Sequence, residues 1–202
     1  GLSGMIGCTI FFQANQLSQI IREYFYNSAG LFQSNMMVGD LFTGIMVAIL
    51  VSIVIFGGIK RIAMVASKMV PIMVGLYLVA AIIVIVKNIQ VVPSVLLFIM
   101  SDAFSGNAVA GGAIGTMISI GVRRGLFSNE AGSGTETMAH GAAKTNEPVR
   151  EGLVAMLGPL IDTIIVCSIT ALVILLSGVY EQNLNGVSMT VVAFESELGL
   201  FG

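Results

Sequence analysis

Three glutamines at three-residue spacing, Gln13, Gln16 and Gln19, stand with Asn15 in a segment, Gly1 to Ile21, that carries no charge. They cannot all face lipid, where an unpaired amide costs several kcal/mol. Gln13 and Gln16 share a helical face and Gln19 continues it. Two uses stay open: hydrogen bonds between helices, worth about 0.6 kcal/mol on average, or an amide lining a substrate cavity. A second group is the glycines Gly106, Gly111, Gly112 and Gly115. Gly111 and Gly115 make a G-x-x-x-G step suited to close helix packing, but packing needs neither Gly112 nor Gly106. Each glycine costs a helix about 1 kcal/mol relative to alanine. An unwound stretch here would offer backbone N–H and C=O groups to a carboxylate or a cation. The third candidate is Asp162, an ionisable residue inside an apolar span and therefore a functional candidate by default. Its place near one end of that span predicts pairing with a nearby arginine.

Enzyme chemistry finds little footing. Ser133, in Ala131-Gly132-Ser133-Gly134, lacks the G-x-S-x-G elbow because position 131 is alanine, and the lone His140 has no partner acid at a recognisable spacing. One histidine and two remote cysteines, Cys8 and Cys167, make no zinc site. Both cysteines read as small buried hydrophobes. No glycine run ends in the Gly-Lys-Ser/Thr of a phosphate loop.

The elements that position these groups follow from composition. Apolar residues make up 56% and charged residues only 10%, with a mean hydropathy of +0.97. Soluble domains carry about 25% charged residues, so this is a membrane protein. At roughly 20 apolar residues per crossing, the sequence offers five or six spans. The first covers Gly1 to Ile21 and the second Leu41 to Ile59. The third runs from Met69 to Val86, with Pro71 tolerated in its first turn. Pro93 to Met100 is too short to cross alone. With Asp102 interrupting, Pro93 to Val122 reads as one broken span, the usual pointer to a transporter's binding site. The last span covers Val149 to Tyr180. The mixed stretch Glu181 to Gly202 is predicted to lie at the surface. The chain reads as a fragment whose ends fall inside a larger fold.

Between the broken and last spans lies a polar, glycine-rich island at 121–152 with Arg123, Arg124, Lys144 and Arg150. Counting one broken span puts these on the same face as Lys60, Arg61 and Lys68, with Arg22 and Lys87 opposite. Seven of the nine positive residues then share a face, which the positive-inside rule makes cytoplasmic.

The run GVRRGLFSNEAGSGTETMAHGAAKTNEPVREG, from Gly121 to Gly152, resembles the signature region of the alanine or glycine:cation symporters. FGGIKRIAMVASKMVP, from Phe56 to Pro71, and Gln13-Ala14-Asn15 are similar to two further family segments. The resemblance implies an all-α, multi-pass membrane protein in the plasma (inner) membrane. It would be part of a leucine-transporter-type inverted-repeat fold of about five spans, one broken. Residues 1–202 would form a single partial transporter domain covering core helices 3 to 7.

The activity implied is sodium-coupled symport of a small neutral amino acid, alanine or glycine. The rival to it is a passive channel or pore subunit. Gln13 matches a substrate-contacting glutamine, and Leu17 an apolar residue against the substrate's small side chain. Gly111, Gly112 and Gly115 match the unwound part of core helix 6. Asn129, Glu130 and Gly132 would belong to the inner gate, with Asp162 nearby. The partners implied are the amino acid, the sodium ion and the lipid bilayer. Neither a cofactor nor a nucleic acid is expected.

Overall fold

The computed structural model describes residues 8–26, 30, 35–103, 113–128, 137 and 140–199. Among these the secondary structure is helical, without strands. Helix α1 (Cys8–Ile20) passes into a π-helical turn (Ile21–Tyr26). It is followed by α2 (Met36–Ile55), α3 (Gly58–Lys87), α4 (Val92–Ala103) and α5 (Ala113–Ser128). The last long helix, Pro148–Ser177, begins as α6 (Pro148–Ala155), turns π-helical over Leu160–Val166 and ends as α7 (Cys167–Ser177). A 3₁₀ turn (Val179–Gln182) leads to α8 (Val187–Leu198). Three helices among the described residues are long and apolar enough to cross a membrane: Met36–Ile55, Gly58–Lys87 and Pro148–Ser177. This is an all-α integral membrane protein.

Helix α3 differs from the expected third span. It starts at Gly58, not Met69, and holds Pro71 in its interior. At about 1.5 Å per residue, its 30 residues exceed the ~30 Å hydrocarbon core. The turn bearing Lys60 and Arg61 therefore continues as helix beyond the apolar layer. Pro71 has no N–H for the Ser67 carbonyl, a loss that membrane helices tolerate. The α2–α3 connection is only Phe56 and Gly57, and Gly58 takes φ +71 to make it. That conformation strains any residue with a Cβ.

The broken span appears as α4 and α5, with 104–112 outside the described residues. Asp102 lies within the last turn of α4 and does not interrupt it. Cys167 is exposed, contrary to its reading as a buried hydrophobe.

The largest departure is the tail. Residues expected at the surface form α8, which carries the centre of the core. Ala81 and Val84 of α3, Val173 of α7, Val179, and Ala193 and Phe194 of α8 make one cluster. The Phe194 ring meets Tyr77 edge-on, with centroids 5.5 Å apart, and the Tyr77 hydroxyl bonds to that of Thr170. Tyr77, Ala81 and Val84 recur at helical i, i+4 and i+3 steps, so one stripe of α3 meets both α7 and α8.

A polar layer adjoins this core. Arg22 grips Asp40 with two nitrogens, at 3.0 and 2.6 Å, joining the π-turn to α2. Tyr26 Oη and Thr43 Oγ1, both in buried residues, lie 2.8 Å apart. Lys87 Nζ donates to the Glu197 carbonyl at 2.6 Å, and Asn88 Nδ2 to its carboxylate at 2.8 Å. Tyr24 donates to Glu195 at 3.0 Å. Burial first, then this bond, hold the Tyr24 phenol above its ordinary value. Its contribution therefore stands at neutral pH and is lost only as pH rises through the raised value. Of the two cations set apart by the sequence, Lys87 thus meets α8 and Arg22 meets α2. The island adjoins the opposite end of the Pro148–Ser177 helix.

Gly186 caps α8 with φ +63 and ψ −134, and a Cβ there would fall 2.4 Å from Gln16 Oε1. Gly186→Ala is expected to cost about 1–3 kcal/mol through backbone strain alone, read as a lower midpoint of thermal unfolding in detergent.

Candidate functional site

The polar set of α1 divides between two directions. At 3.6 residues per turn, Leu17 lies about 40° around the helix from Gln13, Gln16 about 60° the other way and Gln19 about 120°. Gln16 and Gln19 face α8. Val187 N–H donates to Gln16 Oε1 at 2.8 Å, and Gln19 Nε2 donates to Ser188 Oγ at 2.7 Å. For these two the interhelical reading holds. Gln13 is exposed and Leu17 is 41% exposed. The Gln13 side chain makes no hydrogen bond to another described residue. Gln19 therefore does not continue the Gln13 face. The next residue along, Phe12, lies under the Arg124 guanidinium at 5.8 Å, which brings α1 beside the end of α5.

Of the glycines, Gly115 sits in the first turn of α5 and is helical, not unwound. Gly111 and Gly112 lie outside the described residues, as do Asn129, Glu130 and Gly132.

Asp162 sits in the π-helical segment Leu160–Val166. Its partner is Ser128, whose hydroxyl donates to Asp162 Oδ2. No ion pair among the described residues reaches it, so the expected pairing with an island arginine is replaced by a serine. Cys167 Sγ lies 3.7 Å from the same hydroxyl. The π geometry explains this pairing of positions five apart. Cys167 N–H donates to the Asp162 carbonyl, the i→i+5 bond of a π-helix, which turns both side chains towards the end of α5. Helix and acid were both legible in the sequence, whereas the π-turn that aims them was not.

In the island, His140 Nδ1 and Glu151 Oε1 are 2.6 Å apart. They flank a cleft of about 500 Å³ lined also by Thr137, Thr145, Asn146 and Pro148. Proline at the first position of α6 needs no N–H there and fixes where the last long helix leaves the island. The acid missing from the sequence reading of His140 is thus Glu151, eleven residues on and one helix away. Among the described residues no three His, Cys, Asp or Glu side chains gather in a way that would hold a metal ion.

The family model described as the sodium:alanine symporter family matches residues 2–202. The chain belongs to the sodium:alanine symporter family. A relative from Haemophilus influenzae, called an uncharacterized transporter, is 44% identical over 80% of this chain and 34% of its own. The sodium/alanine symporter AgcS of Methanococcus maripaludis is 40% identical over 84% of this chain and 38% of its own. The probable sodium/glutamine symporter GlnT of Bacillus subtilis is 43% identical over 72% and 31%. The chain thus spans about a third of the length of these curated relatives. A sodium:alanine symporter family member is a transporter, not an enzyme, in keeping with the weak case for enzyme chemistry at Ser133.

Proposed function

We propose that this chain is part of a carrier that couples sodium entry to uptake of a small neutral amino acid, alanine or glycine, across the plasma membrane. The observation that carries this is the family match over residues 2–202. In this reading the exposed face of α1 borders the substrate. Gln13 hydrogen-bonds the amino acid's polar groups, and Leu17 packs against its short side chain. The segment around Gly111 and Gly112, ahead of the helical Gly115, leaves room and supplies backbone dipoles. Residues 1–202 form one partial transporter domain of the leucine-transporter-type inverted-repeat fold, with the island 121–152 on the cytoplasmic side. The clustering of Lys60, Arg61, Lys68, Arg123, Arg124, Lys144 and Arg150 supports that orientation. Asn129, Glu130 and Gly132 belong to the inner gate, and the Ser128–Asp162 bond braces its neighbour helix. Sodium is a transported partner here, not a resident cofactor.

The test is uptake of labelled alanine by a full-length carrier containing these 202 residues, reconstituted in liposomes with and without an inward sodium gradient. Accumulation above equilibrium only with the gradient is expected. Equilibration without accumulation would favour a channel, and competition by glutamine stronger than by glycine would overturn the small-substrate assignment. In the same assay Asp162→Ala is expected to lower the initial rate roughly fivefold or more, about 1 kcal/mol. Asp162→Asn keeps an acceptor for Ser128 and is expected to retain most of the rate.

A further inference from the structure

The contacts of α8 fall into two kinds. Towards α3 and α7 it offers Ala193 and Phe194, buried in the apolar cluster, with Glu197 clamped by Lys87 and Asn88 at the end of α3. Towards α1 it offers polar groups in its first turn. Gln19 Nε2 donates to Ser188 Oγ at 2.7 Å and to Glu23 Oε1 at 3.0 Å. The Ser188 hydroxyl donates to the Glu23 carboxylate, with oxygens at 2.9 and 3.2 Å. Gln16 Nε2 reaches Gln19 Oε1 at 3.4 Å while its own oxygen accepts from Val187 N–H at 2.8 Å. Ser188 is buried to 6% exposure, and the close approach of Gly186 lets the Gln16 amide fit.

These two faces respond differently to separation. Opening the apolar face leaves a cavity and loses its packing. Opening the polar face exchanges each hydrogen bond for one to water, at little net change once the groups are wet. The seam closes without an ion pair among the described residues, where the Glu23 carboxylate meets an amide and a hydroxyl.

We propose that the seam Gln16–Gln19–Glu23–Ser188 is a releasable contact that is broken and remade in each transport cycle. In this scheme α8 stays fixed to α3 and α7 while α1, with Gln13 on its other face, moves relative to it. Gln19 and Glu23 are then positioning residues for Gln13 and do not touch substrate. The inference rests on the carrier reading for its functional meaning, but the opening itself can be measured without it.

The experiment uses the full-length carrier with Cys8→Ala and Cys167→Ala, carrying Gln19→Cys and Ser188→Cys, joined by a short reducible thiol-to-thiol bridge. Sodium-driven alanine uptake is expected to fall at least tenfold on bridging and to recover on reduction, a reversal that a folding defect would not show. Equal uptake by the bridged and unbridged forms would overturn the seam's release. If the carrier with Gln19 and Ser188 intact shows no sodium-driven uptake, the carrier reading fails, and spin labels at Phe25→Cys and Ser196→Cys decide the seam alone. Two separate distance populations across it would uphold the release, and a single distance under all conditions would overturn it.

Discussion

Replacing Gln13 with alanine is expected to cut sodium-driven alanine uptake at least about tenfold, with most of the loss in KM. Gln13 lies on an exposed face of α1 while the neighbouring amides, Gln16 and Gln19, are bonded to α8. Its removal therefore leaves the helix contacts intact. A substrate group left unpaired in a water-poor site costs about 1–3 kcal/mol, or roughly fivefold to more than a hundredfold. Gln13→Glu keeps the size but offers no amide donor, and is expected to fall between the two. A Gln13→Ala protein with unchanged KM would move the substrate site away from this face of α1. The paired control is thermal unfolding, which should be the same for the variant and the parent.

The second large effect is on stability. Phe194→Ala is expected to cost about 3–5 kcal/mol, seen as a marked drop in the thermal unfolding midpoint in detergent. The ring is buried to 9% exposure at the meeting point of three helices and lies edge-on to Tyr77. Its loss opens a cavity against Ala81, Val84 and Val173, none of which has side-chain length to spare for filling it. Phe194→Leu, which leaves a smaller void, is expected to cost less than half as much. An unchanged midpoint for Phe194→Ala would mean that α8 contributes little to holding α3 and α7 together.

The contrast between these two residues mirrors what could be read without a structure. Gln13 stood out because an amide in an uncharged, apolar segment is costly and needs a reason. Phe194 did not, since a phenylalanine between Ala193 and Glu195 in a stretch with Glu181, Glu195 and Glu197 looks like an interfacial residue. The long apolar helices α2, α3 and α6–α7 were legible from hydropathy and length. The start of α3 was not, because Lys60, Arg61 and Lys68 mark the edge of the apolar layer and a helix does not have to stop there. Asp162 was recognisable as an unusual acid. Its partner was hidden because a π-turn changes which positions share a face, and no residue type announces one. Ser188 carried no signal at all. A serine becomes notable only when Gln19 and Glu23 are brought to it from about 165 residues away. The glycines Gly111 and Gly112 and the motif residues Asn129, Glu130 and Gly132 lie outside the described residues.

The two-residue connection between α2 and α3 bears on how the protein is made. Phe56 and Gly57 can bridge at most about 7 Å, far less than the bilayer's thickness. Neither helix can settle in the bilayer with the other left behind, so the pair must enter as a hairpin. Lys60 and Arg61 sit just past its bend and resist translocation, so a single basic cluster orients two spans at once during biosynthesis. Exchanging both for neutral residues would weaken the orientation of the whole hairpin, and an error there would place α1 and α4 on the wrong sides together.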